Sequence, residues 1–351
     1  MSAFCRVRMP HCSLMVYSIA ASLVGCFTDS AVADPVTDFY SDKQMTLIIG
    51  SDIGAGYDAQ GRLMARHIGR FIPGNPNIVV QNMPAAGSLA AANHLYNIAP
   101  KDGTYFGMMM RNILTAQMTN PSAVRFDVAK FSWIGSLATE NGVMIAWHTA
   151  PHKTVQDLLT RPLIVGGTTG TDTEISARLL NEFIGTKFKI VAGYKGNNDV
   201  ELAMERGEVE GMANLSWSNL KNVKADYLKN NEVRILLQNS LEKAPDLPDV
   251  PLATDYAKDS QGRQVMELYF SQKLAARPVM APPGVPADRL KAIREAFLKM
   301  AADPKFQADA EKSRLEVNPA GYETVEKVIA SITSASPEVT KRFFEATTPQ
   351  K

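Results

Sequence analysis

Glycines and polar residues cluster in short segments where an apolar run ends and a helical pattern begins. The first, Gly54-Ala55-Gly56-Tyr57-Asp58, follows the strand-like run 45–50 and opens a helix expected at about 57–71. Glycines let the backbone approach a ligand closely, and a helix N-terminus presents unpaired N–H groups with a partial positive charge. Such a segment suits a carboxylate. The alternative is structural: Gly54 and Gly56 form a turn, and Asp58 caps the helix.

Three further segments have the same character. They are Asn82-Met83-Pro84-Ala85-Ala86-Gly87-Ser88, Gly166-Gly167-Thr168-Thr169-Gly170-Thr171-Asp172 and Tyr194-Lys195-Gly196-Asn197. Thr171 and Glu174 have the spacing of a capping box, which by itself is a structural feature. Parallel α/β sheets bind ligands outside the carboxyl ends of their strands. We therefore expect all four segments to line one cleft between two facing lobes.

Catalytic signatures are missing from the sequence. It contains no G-x-S-x-G, H-E-x-x-H or G-x-x-x-x-G-K-[ST] pattern. His148 and His152 are close, but Ala150-Pro151 between them breaks any helix that would align them on a metal. The run 54–59 fits a dinucleotide fingerprint, yet Ser51-Asp52-Ile53 separates it from the strand and no acidic residue ends the next strand. The sequence thus predicts neither an enzyme nor a metal or cofactor site.

The N-terminus predicts export. Arg6 and Arg8 precede an apolar run at 14–27, and Ala31-Val32-Ala33 forms an A-x-A cleavage site. Leu23-Val24-Gly25-Cys26 offers an alternative, a lipoprotein box in which Cys26 is lipidated. Cleavage after Ala33 is the favoured interpretation, and it places the protein in the periplasm. All three cysteines lie within the leader, so the exported part has no disulfide or thiol chemistry.

Charge excludes two classes of partner for the exported part. The full chain has 37 basic and 36 acidic residues; losing Arg6, Arg8 and Asp29 with the leader leaves 35 of each. A neutral chain has no electrostatic reason to bind nucleic acid or an anionic membrane surface. The remaining length, roughly 318 residues, exceeds what one core usually supports, so two lobes are expected.

Alternating strand and helix patterns predict two α/β lobes with largely parallel sheets. We assign residues 34–140 and 271–351 to lobe 1 and residues 141–270 to lobe 2. The C-terminal segment is helical and is expected to pack on lobe 1. The chain is expected to be a monomer.

Seven motifs in order along the chain resemble the Bug family, the extracytoplasmic receptors of tripartite tricarboxylate transporters. They are Gly54-Ala55-Gly56-Tyr57-Asp58, Asn82-Met83-Pro84-Ala85-Ala86-Gly87, Asp102-Gly103-Thr104, Thr169-Gly170-Thr171, Gly193-Tyr194-Lys195-Gly196, Gly207-Glu208-Val209-Glu210 and Pro282-Pro283-Gly284-Val285-Pro286. Ser51-Asp52-Ile53, Ala55, Ala86 and Ser88 depart from the usual pattern. The ligand therefore need not be a plain tri- or dicarboxylate.

The resemblance implies a two-lobed type II periplasmic binding protein of the Venus-flytrap kind. Such a receptor closes on a small carboxylate and delivers it to the membrane subunits of its transporter. The expected ligand-binding residues are Ala55, Gly56, Asp58, Ala86, Gly87, Ser88, Arg111, Thr169, Gly170, Thr171 and Tyr194. Two alternatives stay open: a receptor that presents its ligand to a sensor kinase, and a secreted enzyme.

Overall fold

The computed structural model describes residues 1–3 and 34–348, and the fold is that of residues 35–348. Residues 4–33 of the predicted leader, which include Cys26 and the cleavage site, lie outside the described residues. In the described part, no helix is long and apolar enough to cross a membrane.

Two β-sheets organise this part of the chain. The first has six strands: β1 (Gln44–Ile49), β2 (Asn77–Asn82), β3 (Tyr105–Met108), β4 (Ser132–Ser136), β10 (Pro278–Ala281) and β11 (Ala320–Gly321). The second has five: β5 (Gly142–Trp147), β6 (Leu163–Gly167), β7 (Phe188–Ala192), β8 (Gly211–Ser216) and β9 (Val233–Asn239). The strand orders are β11-β4-β10-β3-β1-β2 and β7-β6-β8-β5-β9.

Helices cover both sheets. They are α1 (Pro35–Tyr40), α2 (Gly56–Ile68), α3 (Leu89–Asn97), α4 (Ala116–Thr119), α5 (Val155–Thr160), α6 (Asp172–Phe183), α7 (Asn197–Glu205), α8 (Trp217–Asn222), α9 (Ala225–Lys229), α10 (Ser260–Ser271), α11 (Ala287–Ala301), α12 (Pro304–Lys312), α13 (Tyr322–Thr333) and α14 (Pro337–Thr347). Because both faces of the sheets are covered, central strands are apolar throughout: every residue of β5 is buried, as are five of the six in β1.

The prediction of largely parallel sheets is correct for β2-β1-β3 and for β7-β6-β8 only. The other pairings are antiparallel. β5 and β10 are the first strands after the chain passes from one sheet to the other, and each runs antiparallel to both of its neighbours. In each sheet, the run of parallel strands therefore ends at the strand by which the chain enters from the other sheet.

The C-terminal helices pack across both halves of the fold. α11 and α13 lie on β4, and α12 lies on α2, as expected for packing on the first sheet. α14 packs against α6 and α10, and also against α4. One apolar cluster contains Ile48 of β1, Leu163 of β6 and Phe343 of α14. The lobe boundaries at 140 and 271 stay a prediction.

The neighbouring residues Phe343 and Phe344 of α14 provide a test of this packing. Phe343 is 1% exposed and lies 6.2 Å from the ring of Tyr269, whereas Phe344 is 40% exposed. Phe343→Ala is expected to lower the free energy of unfolding by about 3–5 kcal/mol, because it empties a packed site. Phe344→Ala should cost well under ~2 kcal/mol. Urea unfolding at 25 °C measures both, and equal losses would contradict the packing of α14.

Candidate functional site

One large cleft lies where strands of both sheets end. Its volume is about 1480 Å³, larger than the ~300–1,000 Å³ typical of small-molecule pockets. Residues that follow β1, β2, β3, β6 and β7 all contribute to its lining, as the sequence predicts for the four polar segments.

The predicted ligand-binding residues divide into two groups. Those that line the cleft are Gly56, Gly87, Arg111, Gly170 and Thr171. Those that do not belong to its lining are Ala55, Asp58, Ala86, Ser88, Thr169 and Tyr194. Five of these six lie within two positions of a member of the first group, and Tyr194 adjoins the lining residue Lys195. Contact with a ligand stays a prediction for both groups.

Asp58 holds the first polar segment in place. Its side chain is buried and accepts hydrogen bonds from the Gly54 N–H (2.8 Å), from Arg62 Nε (2.9 Å) and from Asn82 Nδ2 (2.8 Å). Burial raises the pKa of its carboxyl, but these bonds outweigh burial and the pKa is lowered. α2 begins at Gly56 and its first intrahelical bond is donated by the Ala59 N–H. The N–H groups of residues 56–58 therefore have no acceptor within the helix.

The second segment has a strained backbone. Ala85, Ala86, Gly87 and Ser88 have φ values of 152°, 46°, 61° and 73°, and three of these four residues carry a Cβ that disfavours this region. Ser88 fixes the loop, since its Oγ donates to Gly50 O (2.7 Å) and accepts from the Met110 N–H (2.9 Å). Strain that surrounding contacts hold in place is characteristic of functional sites.

The predicted capping box of α6 does not form. Thr171 is the N-cap residue but makes no capping bond; its hydroxyl donates to Thr168 O at 2.8 Å. Glu174 accepts from the Gly170 N–H (2.6 Å) and from Arg178 (2.8 Å). Gly170, at φ 72°, turns its N–H toward Glu174, and this bond replaces the box.

The fourth segment contributes backbone and one cation. Lys195, Gly196 and Asn197 line the cleft, and α7 begins at Asn197. Tyr194 is half-buried, and burial raises the pKa of its hydroxyl. It therefore stays a neutral hydroxyl in the physiological range.

Five charged side chains form a network, termed here the charge network: Arg111, Glu140, Asp172 and Arg277 line the cleft, and Lys273 is buried beside them outside its lining. Arg111 donates from one nitrogen to Glu140 (2.9 Å) and from the other to Asp172. Arg277 pairs with the second oxygen of Glu140 at 3.1 Å. Burial opposes the charge on Arg111, but Asp172 and Glu140 raise the pKa of its guanidinium. Burial alone would raise the pKa of each carboxyl; Arg111 lowers both.

Lys273 completes the charge network. Its Nζ donates to Asn214 Oδ1 (2.6 Å) and lies 3.9 Å from Asp172, and the side chain is 3% exposed. Burial lowers the pKa of this amine to about 8, although Asp172 partly offsets the effect. Tyr269 donates its hydroxyl to Asp172. The carboxylate of Asp172 therefore has partners on three sides.

Sequence reasoning identified Arg111 but missed the other members of the charge network. The sequence indicates Asp172 only as the last residue of a polar segment. Glu140, Lys273 and Arg277 occur in stretches with no motif, and they meet Arg111 because the chain passes twice between the sheets here. No group of three His, Cys, Asp or Glu side chains among residues 34–348 is placed to hold a metal ion.

Comparison with solved structures shows the same fold in solute-binding proteins. A TctC solute binding protein from Polaromonas has a TM-score of 0.66 at 17% identity, covering 88% of this chain and 98% of that chain. The periplasmic binding protein BugD has a TM-score of 0.58 at 20% identity, covering 88% and 98%. R. palustris Rpa4515, solved with adipate, has a TM-score of 0.59 at 18% identity, covering 87% and 97%.

These likenesses confirm the predicted fold, a two-lobed α/β binding protein of type II, and the resemblance to the Bug proteins. Comparison with curated proteins finds no significant sequence match. The family model described as "Tripartite tricarboxylate transporter family receptor" (TctC) matches residues 69–342. This family is a class of solute-binding receptors, not of enzymes. Because the match spans most of its length, the chain belongs to the tripartite tricarboxylate transporter receptor family.

Proposed function

We propose that this protein is a periplasmic receptor that captures a small carboxylate in the cleft and delivers it to the membrane subunits of a tripartite tricarboxylate-type transporter. A leader ending at Ala33 brings it to the periplasm. The observation that carries the proposal is that Gly56, Gly87 and Gly170, from polar segments of both sheets, line one cleft. Membership of the receptor family supports the transport role.

Backbone N–H groups supply the anion-binding element of this proposal. The starts of α2 and α6 both lie at the cleft, and neither N-cap residue makes a side-chain capping bond. Free N–H groups and the partial positive charge of a helix N-terminus favour a carboxylate. Arg111, between the two segments, adds a guanidinium. Contacts from both halves would favour the closed state of the receptor when ligand is bound.

A thermal-shift screen of the purified protein against organic acids tests this function. A ligand at a hundredfold excess over its Kd should stabilise the fold by about 2.7 kcal/mol and raise the Tm by several degrees. Sugars and nucleotides without a carboxylate serve as controls. Stabilisation by these compounds alone would refute the carboxylate assignment.

The backbone of the second segment is tested by Gly87→Ala, with Gly207→Ala as the matched control. Both glycines have positive φ, 61° and 73°, so both variants introduce similar backbone strain. Only Gly87 lines the cleft, where an added Cβ would lie 2.8 Å from Asn112 Nδ2; nothing lies within 4 Å at Gly207. Calorimetry on the acid found in the screen should give at least a tenfold weaker Kd for Gly87→Ala, about 1.4 kcal/mol. An unchanged Kd for this variant would exclude the segment from the site.

The pKa of Lys273, about 8, predicts weaker carboxylate binding at alkaline pH. As pH rises from 7 to 9 the amine loses its proton, and the charge network loses one positive charge. The neighbours that face the amine are Asp172, Arg111, Glu140, Asn214 and the Phe270 ring. Calorimetry from pH 6.5 to 9.5 should show the Kd rising several-fold around pH 8. Lys273→Gln should remove this dependence of the Kd on pH. If the variant kept the wild-type dependence, a group other than Lys273 would be responsible for it.

A further inference from the structure

The charged side chains that line the cleft balance one another. They are four cationic and four anionic residues: Arg111, Lys195, Arg277, Arg314, Glu140, Asp172, Glu311 and Glu316. Net charge therefore gives a carboxylate no advantage over a neutral ligand. What favours a carboxylate is a cationic donor that its present partners leave unused, at a place that a ligand can reach.

Arg111 has no terminal nitrogen to spare. Its Nη1 donates to Glu140 at 2.9 Å, and its Nη2 donates to Asp172. A ligand carboxylate that took either nitrogen would leave one of these acids without that bond in a buried site, which is costly. Arg111 therefore cannot offer paired donors to a ligand without giving up the bonds that hold the charge network together.

Arg277 differs, because only one nitrogen of its guanidinium is engaged. Nη1 donates to Ala276 O at 3.0 Å and lies 3.1 Å from Glu140 Oε1. Nε is buried without a hydrogen-bond partner in the described part of the chain, and Nη2 makes no hydrogen bond there either. Nε and Nη2 share one edge of the guanidinium, termed here the open edge, on which two N–H groups point in parallel. Two parallel N–H groups are what a carboxylate binds in a bidentate pair.

The side chain of Arg277 is held in a fixed position at the cleft. Its guanidinium lies 4.3 Å from the centre of the Tyr57 ring, and both residues line the cleft. The Tyr57 hydroxyl donates to Ala276 O at 2.9 Å, and the same oxygen accepts from Arg277. A stacked and hydrogen-bonded guanidinium has little side-chain freedom left to lose when a ligand binds, so its bonds contribute to affinity at low entropic cost.

The start of α2 lies beside this guanidinium. Tyr57 is the second residue of α2, and the N–H groups of residues 56–58 have no acceptor within the helix. Because the Tyr57 ring stacks on Arg277, these N–H groups and the open edge belong to the same part of the cleft. Glu316 also lies near Arg277, but its carboxylate is hydrogen-bonded to Ser218. The open edge is thus left to a ligand.

On the basis of the proposed function, we propose that Arg277 binds the carboxylate of the ligand through Nε and Nη2, beside the start of α2. Nη2 receives one carboxylate oxygen from the cleft, and the second oxygen of the same group supplies the partner that the buried Nε lacks. Nη1 keeps its contact with Glu140, so the guanidinium is never without a counter-charge. Arg111 retains both of its acids and positions the two sheets.

Nuclear magnetic resonance of the full chain with isotope-labelled arginine side chains tests this contact. Acetate is the probe, because the inference concerns the carboxylate group and not the rest of the ligand. Titration with acetate at constant ionic strength should move the Nε–H resonance of Arg277 downfield until it saturates, whereas chloride alone should leave it in place. Through-bond correlation to the Arg277 backbone assigns the resonance. A resonance that acetate does not move would overturn the inference.

Arg277→Lys measures the contribution to affinity, and Arg314→Lys is the matched control. Lysine keeps a positive charge near Glu140 but cannot donate two parallel bonds from a planar fork. Calorimetry with succinate, glutarate and adipate should give a Kd at least tenfold weaker for Arg277→Lys, about 1.4 kcal/mol. Arg314 also lines the cleft but is exposed, so its variant should stay within about twofold of wild type. An unchanged Kd in folded Arg277→Lys would overturn the role of Arg277.

Failure of this inference differs from failure of the proposed function. If an acid in the wider screen raises the Tm but the Arg277 resonance or the Kd of Arg277→Lys does not respond, the carboxylate receptor stands and only the role of Arg277 falls. If no acid raises the Tm, the proposed function itself falls. The acetate titration of the wild-type protein decides the role of Arg277 even if Arg277→Lys does not fold or none of the three dicarboxylates binds.

Discussion

The ion pairs that Arg111 makes with two carboxylates determine how charge is arranged at the cleft. Burying a charge is costly unless it is paired and hydrogen-bonded, and here Glu140 and Asp172 each take one nitrogen of the guanidinium. Arg111 follows a strand of the first sheet, and Asp172 begins a helix that follows a strand of the second. The pair therefore ties the two halves of the fold together at the floor of the cleft. Lys273 and Arg277 supply the cations that the two carboxylates still need.

The strained second segment depends on contacts outside itself. A run of four residues at positive φ would not persist in an isolated loop, because each Cβ in this region clashes with the backbone. Ser88 compensates by bonding to the ends of β1 and β3, at Gly50 and Met110. Gly87 then lies at the cleft with a backbone conformation that the neighbouring strands enforce. Asp58 plays the same part for the first segment, so two of the predicted ligand residues act on the shape of the loops that carry them.

Much of the fold follows from the sequence because its periodicity is local. The strand-like run at 45–50 corresponds to β1, Gln44–Ile49, and the helix expected at about 57–71 corresponds to α2, Gly56–Ile68. The polar segments lie at one cleft because the strands before them are parallel neighbours, whose carboxyl ends share one edge of a sheet. Antiparallel pairing and the charge network were not predictable, since they join residues such as Arg111 and Asp172 that are 61 positions apart. The prediction of a capping box was wrong because spacing shows only that Thr171 and Glu174 are close enough to form one. In the structure Glu174 accepts hydrogen bonds from Gly170 and Arg178 instead.

A receptor must release its ligand, and the charge network is suited to exchange. A solitary buried arginine would pay a large desolvation cost when empty and would bind an incoming carboxylate too strongly for easy release. Arg111 already has carboxylate partners, so a ligand that approaches it adds to or replaces an existing bond rather than desolvating a bare cation. Backbone N–H groups at the starts of α2 and α6 behave similarly, because their partial charges are fixed and need no counter-ion. Affinity is then limited by how well a ligand fits the charge and hydrogen-bonding groups of the cleft, and less by the total positive charge.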